Sequence, residues 1–293
     1  MQALALVSLQ RVTQTLQDLY QLRLNRLHKF KPKVKIYGEL GSFCYKTIDQ
    51  FSELKEALSL RFEVFHKEMI GKNIEKGLDI DEFDFTCDHL VIIDRRNQKV
   101  VGTYRLNCSL FNDEFYSAQE FHLDRIMACE GVKLELGRAC IHKDYRKGVV
   151  ISLLWRGIAD YMNQVGAQTV FGCASVKTKK PREAALLYTY FFQQARMRSE
   201  YFAPPTINYI MPDLSPWISE FRRPLTAEEQ TEAETILPAL CRAYMKIGAF
   251  VGGEPAWDRE FQCIDFLTIL RREDLNRSLW RKYNLNSEPS IVS

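Results

Sequence analysis

The stretch KLELGRACI, residues 133–141, reads as a buried β-strand carrying two opposite charges. Successive side chains of a strand point to opposite faces, so Glu135 and Arg138, three residues apart, would face opposite ways. Gly137 lies between them, and a glycine inside a strand permits a β-bulge, which breaks the alternation and re-aims a side chain. A bulge would bring Glu135 and Arg138 towards one cleft. A regular strand would leave one of the two charges on the far face. Either way, a buried charge without a partner is costly, so each needs an ion pair, hydrogen bonds or a role.

Upstream, HLVIID (89–94) and KVVGTYRL (99–106) alternate or run apolar around the turn RRNQ, which predicts a hairpin. Residues 46–67 carry Phe51, Leu54, Leu58, Arg61 and Phe65 at helical spacing, and the acidic segment EKGLDIDEFDFTCDH (75–89) reads as a loop. Downstream, residues 149–165 form an amphipathic helix with Gly166 placed to cap it, followed by the buried strand QTVFGCASV. A helix through AALLYTYFFQQA then starts near Pro181. Thr226 and Glu229 make a capping box, Pro238 opens PALCRAYMKIGA, and REFQCIDFLTILRR reads as a final strand. The fold class is therefore α/β (α+β), a mixed sheet flanked by helices, with a C-terminal helical elaboration.

At the N-terminus, Leu6, Leu9, Val12, Leu16 and Leu19 predict an amphipathic helix running into the basic stretch HKFKPKVK, where Pro32 ends it. Residues 1–36 thus form a basic helical segment ahead of a single domain over 37–293. That helix would either lie on an anionic membrane surface or pack on the protein. A net charge of +3 over 293 residues gives no reason to expect nucleic-acid binding. Eight scattered cysteines show neither a C-x-x-C pair nor zinc spacing, so no metal is expected and the thiols read as reduced. The start MQALALVSLQ lacks the pattern of an export signal, and no apolar run has transmembrane length. These features predict a cytoplasmic protein, with peripheral contact at the inner face of the membrane if residues 1–36 bind lipid.

The order of elements resembles that of the GNAT acyltransferases, whose central strands splay apart. LRFEVF (60–65), DIDEFD (79–84), CDHL (87–90), VVGTYRL (100–106), FYSAQEF (115–121), LELGRACI (134–141) and LLWRGIADY (153–161) resemble the ornithine-lipid-type N-acyltransferases, sometimes labelled hemolysin-like. Part of the pattern is similar to acyl-homoserine lactone synthases, at Arg61, Phe65, Asp81, Asp84, Arg105, Glu135 and Arg138. The resemblance implies a fatty acyl thioester, of the 3-hydroxyacyl type, held on the phosphopantetheine of acyl carrier protein or on CoA, with no bound cofactor. The acceptor would be the amine of an amino acid such as ornithine, and the product an N-acyl amino-acid lipid.

Aminolysis of a thioester needs a proton acceptor and stabilisation of an oxyanion. Glu135 is the base candidate, because burial raises a carboxyl towards the working pH, and Arg138 and Arg105 complete the catalytic set. A purely structural Glu135 would instead be paired to Arg105 or Arg138. Asp81, Asp84, Arg61 and Phe65 would bind the acceptor, or the aspartates would pair with arginines to order their loop. His89 and His142 lack a nucleophile to activate and read as structural.

The turn Tyr145–Val150 keeps only the central glycine of the pyrophosphate-cradling motif of acetyl-CoA-dependent GNAT enzymes, which favours a carrier protein. Arg146, Lys147, Gly148 and Lys177, with Lys179 and Lys180, would form its docking edge. The aromatic stretches Tyr188–Phe192 and Tyr201–Trp217 would line an acyl tunnel or belong to the core. Two competing readings are a homoserine-lactone-type signal synthase and a non-catalytic module that binds carrier protein or membrane. The long segment after residue 200 argues against the first, and the retained Glu135, Arg138 and Arg105 against the second.

Overall fold

A computed structural model describes residues 18, 20–71, 74, 77–146 and 148–275. One nine-stranded sheet runs through it in the order β1-β2-β3-β4-β5-β6-β9-β7, with β8 paired to β9. The strands are β1 Tyr37–Leu40, β2 Phe43–Thr47, β3 Asp88–Asp94, β4 Lys99–Cys108, β5 Val132–Ile141, β6 Ala167–Val176, β7 Phe250–Val251, β8 Ala256–Asp258 and β9 Cys263–Arg271. Only β5 and β6 pair in parallel, with helix α4 (Val149–Val165) as their crossover. The expected hairpin is β3–β4, turning at residues 95–98. Helix α4 ends on Gly166 in the left-handed conformation, Thr226 and Glu229 form their capping box, and α5 (Pro181–Gln193) opens on its proline.

The alternation along β3 explains why helices cover both faces of the sheet. Leu90 and Ile92 pack with Leu153, Leu154 and Ile158 of α4. Val91 and Ile93, pointing the other way, pack with Leu54 and Leu58 of α2 (Phe51–Phe62). All of these but Ile93, at 7%, are no more than 1% exposed, and burying each such side chain contributes roughly 1.5–3 kcal/mol. Three short helices, α6 (Leu214–Glu220), α7 (Ala227–Ile236) and α8 (Ala239–Lys246), supply the C-terminal elaboration.

Three local features depart from the sequence reading. Lys46 opens no helix; it lies in β2, whose hairpin with β1 extends the sheet edge. Helix α2 continues not as α-helix but as a π-helix over Glu63–Met69, a widened turn of the kind often found at functional sites. The acidic loop contains a 3-10 helix, Glu82–Phe85, capped by Asp81.

The apolar positions assigned to the N-terminal helix, Leu6, Leu9, Val12, Leu16 and Leu19, lie outside the described residues. Its last turns, α1 (20–27), are docked on the domain. Leu27 is buried in the α2 cluster, Arg23 pairs with Glu82 at 2.9 Å, and Asp88 accepts from the backbone of Lys33 and Val34.

Strands β5 and β6 separate halfway along. Their pairing ends at Glu135↔Phe171, whereas β6 stays on β9 as far as Val176↔Ile264. At the parting, Gly172 lies under the Leu136 carbonyl, which a Cβ on residue 172 would meet at 2.1 Å. That oxygen belongs to the backbone and cannot rotate away. Gly172→Ala should therefore destabilise the fold by about 1–3 kcal/mol, the usual cost of overpacking, as read from urea unfolding.

Candidate active site

The strand that carries Glu135 is broken where the sequence allowed. Thr103 pairs with Cys140 and Arg105 with Gly137, so three steps on β5 match two on β4. One residue of β5 is extra, and Arg138 takes a positive φ of 50° to absorb it. The bulge cancels the alternation. Arg138 swings to the side already occupied by Glu135 and Arg105, and the three residues line one cavity of about 230 Å³. That cavity threads the gap between the diverging strands.

Glu135 is 3% exposed and pairs with neither arginine. Its carboxylate accepts from the backbone N–H of Ser117 at 2.7 Å and of Tyr116 at 3.0 Å, and from the Asn107 amide at 3.3 Å. The two N–H groups open the 3-10 helix Tyr116–Gln119, where backbone donors lack partners within the helix. Asn107 sits directly opposite Glu135 on β4, which is why its amide reaches the carboxylate.

The arginines are taken by the acidic loop. Arg61 bonds Asp84 at 2.6 and 3.1 Å and Asp79 at 2.7 Å. Arg105 bonds Asp81 at 2.5 Å and Asp84 at 3.2 Å. Arg138 bonds Asp81 at 2.8 Å, with Asp79 at 3.5 Å. Three guanidinium groups thus face three carboxylates. Burial alone would raise the Asp84 carboxyl, but Arg61 and Arg105 outweigh it and hold it well below the usual range. Asp79, likewise buried, is lowered by Arg61 and Arg138.

Arg61 and Asp84 are sealed at 1% and 0% exposure, do not line this cavity and are bonded to each other, the arrangement of the loop-ordering alternative. Arg61 thereby ties α2 to the loop at both Asp79 and Asp84. Asp81 faces an adjoining cleft with Asp79 and Phe83. Phe65, brought in by the π-helix, does line the cavity.

His89 is buried and pushed down to about 4 by that burial, with Nε2 3.2 Å from the Asp84 carbonyl. His142 sits at the start of a short helix and accepts from Asp144.

The apolar end of the cavity is formed by Leu136, Cys241 and Tyr244, whose hydroxyl meets that of Tyr104 at 2.7 Å. None of the aromatic residues in 188–192 or 201–217 lines it. Tyr188, Tyr190, Phe191 and Trp217 belong to the core over α5, while Phe192 is exposed.

Of the basic edge, Arg146 pairs with Glu68 at 2.5 Å, Lys180 with Glu183 at 2.7 Å, and Lys177 is exposed; Lys147 lies outside the described residues. Gly148 opens α4 with φ of 122°, a conformation that favours glycine.

Sequence reasoning missed the acids of the cavity. Glu120, Asp258 and Asp265 line it together, contributed by the segment after the 3-10 helix, the end of β8 and β9. Burial first, then Asp265 and Asp258, push Glu120 up to about 9. Asp265 is raised to about 6, again chiefly by burial. The signal was present, because Asp265 interrupts the apolar strand CIDFLTIL much as Glu135 interrupts its own.

Two outcomes are expected from this geometry. Asp84→Asn removes one acid from a buried, balanced network and should cost about 3–5 kcal/mol in chemical denaturation. The second concerns pH. An unfolded glutamate releases its proton near about 4.3, whereas folded Glu120 keeps it up to about 9, so the folded state binds more protons between these values. Stability should therefore fall as pH rises through that window. In thermal melts from pH 5 to 9, Glu120→Gln should flatten the decline and be the more stable protein at pH 9.

Comparison with known proteins gives the geometry its family. The acetyltransferase (GNAT) domain family matches residues 60–156. An L-ornithine N(alpha)-acyltransferase of Rhodobacter capsulatus is 32% identical over 234 residues, covering 74% of this chain and 85% of the relative. Another, from Agrobacterium fabrum, is 30% identical over 251 residues, covering 80% and 83%. Among solved structures, FeeM, an N-acyl amino acid synthase from uncultured soil microbes, aligns over 81% of this chain and 96% of its own. Its TM-score is 0.45 and its sequence identity 8%. On the similarity to its curated relatives over most of both chains, this chain belongs to the L-ornithine N(alpha)-acyltransferase family and is a GNAT-fold acyltransferase.

Proposed function

We propose that the protein transfers a fatty acyl chain, of the 3-hydroxyacyl type, from the phosphopantetheine of acyl carrier protein to the α-amine of ornithine or a similar amino acid. The product is a lyso-ornithine-type lipid. The observation that carries this reading is the bulge, which puts the Glu135 carboxylate and the Arg138 guanidinium in one cavity at the parting of β5 and β6.

The amine nitrogen attacks the thioester carbonyl, the C–N bond forms, and the C–S bond breaks. Glu135, directly or through water, takes the proton the amine loses, and that proton passes to the departing thiolate. Backbone N–H groups and an amide, rather than a cation, hold Glu135, so accepting a proton breaks no ion pair. Arg138 supplies positive charge beside the carbonyl as negative charge develops on its oxygen. Its Nε is buried and makes no hydrogen bond. Arg105 acts through Asp81, as a positioning residue. The Leu136–Tyr244 end takes the first part of the acyl chain.

Strands β5 and β6 run in parallel, so the segments after them, with Arg146 on one and Lys177 to Lys180 on the other, leave the same end of the sheet. That edge suits an acidic carrier protein whose approach is steered by charge. Among the described residues no helix is long and apolar enough to cross a membrane, so contact with lipid would be peripheral, through residues 1–36.

The test supplies purified protein with 3-hydroxyacyl carrier protein, the matching acyl-CoA and a panel of amino acids, and measures thiol release. Ornithine with the carrier-protein donor should give the highest kcat/KM. Glu135→Gln should lower kcat by about 10²–10⁴-fold while the protein stays folded by circular dichroism. Unchanged turnover would remove Glu135 from the mechanism.

A further inference from the structure

We propose that Glu120, Asp258 and Asp265 form a subsite for the distal ammonium group of a diamino-acid acceptor. The inference rests on the amine-acylation reading above and names the residues that would select a dibasic acceptor.

The three carboxyl groups come from separate segments and converge on the cavity that Glu135 and Arg138 also line. The nearest ligand atoms of Asp258, Cys263 and Asp265 lie within 4.8 Å of one another, and all three residues are buried. Part of the cluster is fixed by the protein. Asp258 Oδ1 accepts from the backbone of Glu260 and Phe261 at 2.8 and 2.9 Å, and Asp265 Oδ1 accepts from the Ser175 hydroxyl at 2.6 Å.

Glu120 is different. It is 1% exposed, it lines the cavity, and its Oε2 is buried with no hydrogen-bond partner. Among the described residues none of the three acids forms an ion pair, and Arg138, the guanidinium on the same cavity, is engaged by Asp81 and Asp79.

Buried carboxyl groups are retained where they are paired, where they hold a proton, or where a cation arrives. Burial, with Asp265 and Asp258 nearby, favours the protonated form of the Glu120 carboxyl. An ammonium group placed among the three would supply the missing charge and three donors.

The spacing fits a diamine. Ser117, whose N–H holds Glu135, precedes Glu120 by three residues of 3-10 turn, about 6 Å of rise. Two nitrogens separated by four carbons span about 6 Å when extended. Glu135 and Glu120 line the same cavity, so one amine can stand at the first while the other reaches towards the second.

The experiment compares ornithine with norvaline, its analogue lacking the distal amine, on the wild-type protein and on Asp265→Asn and Glu120→Gln. The last is isosteric, so it tests the site should the first fail to fold. The wild type should favour ornithine in kcat/KM by on the order of 10²-fold or more, and either variant should cut that ratio at least about tenfold. A ratio unchanged by both variants overturns the subsite. If the wild type acylates no amino acid, the amine-acylation reading fails, and the subsite is judged by calorimetry alone. Ornithine binding that is lost with norvaline and weakened by the variants supports it; equal binding of the two amino acids overturns it. Zn²⁺ or Mn²⁺ alone, bound one per chain and lost in Asp265→Asn, would make the cluster a metal site and overturn the proposal.

Discussion

The arrangement of the site depends on one buried exchange of charge, three arginines against three aspartates. Arg61 comes from α2, Arg105 from β4 and Arg138 from the bulge of β5, while Asp79, Asp81 and Asp84 all come from one short loop. None of these elements could bury its charge alone, because an isolated guanidinium or carboxylate in this environment carries a penalty of several kcal/mol. Each is tolerated because the others are present. The loop has little regular structure, so its conformation is set by these partners together with the cap that Asp81 and Asp84 build on its own backbone. The network ties helix, loop and two strands into one rigid wall.

Its effect on the cavity is indirect. By absorbing all three guanidinium groups, the aspartates leave Glu135 without a permanent cationic partner. Glu135 is held instead by dipoles, two backbone N–H groups and one amide, which fix its position without the charge of an ion pair. A carboxylate locked to an arginine would lose that pairing on taking a proton. One held by neutral donors loses less, and the bulge keeps it within reach of Arg138 while the loop keeps Arg138 occupied.

The regular parts of the fold were legible because they are periodic or punctuated. The β3–β4 hairpin, α4 with Gly166, Pro181 opening α5 and the Thr226–Glu229 box all depend on residues a few positions apart. The bulge was legible as an alternative, since Gly137 beside two charges made it one of two geometries. What escaped was whatever depends on distant partners. The β1–β2 hairpin looked like the start of a helix because Lys46 is followed closely by a good one. The π-turn after α2 leaves the apolar spacing almost unchanged, so Phe65 was found but the reason it reaches the cavity was not. Glu120 is separated from Asp258 by over a hundred residues, and nothing local in FYSAQEF marks its glutamate as buried.

The two sides of the cavity follow opposite rules. On the loop side, acids and bases are matched and every charge has a counterpart. On the β9 side, acids accumulate with no base among the described residues to match them. Folding stability alone would favour replacing such acids by neutral residues of similar shape, because each one that stays charged costs desolvation and each one that takes a proton does so only at a shifted pH. Their presence is accounted for when the compensating charge comes from outside the chain, as a cation that enters and leaves. A cavity whose arginines are already neutralised by the loop behind them, and whose lining adds Glu135 and three acids unpaired among the described residues, is then matched to a small molecule that carries one amine to react and a second to be held.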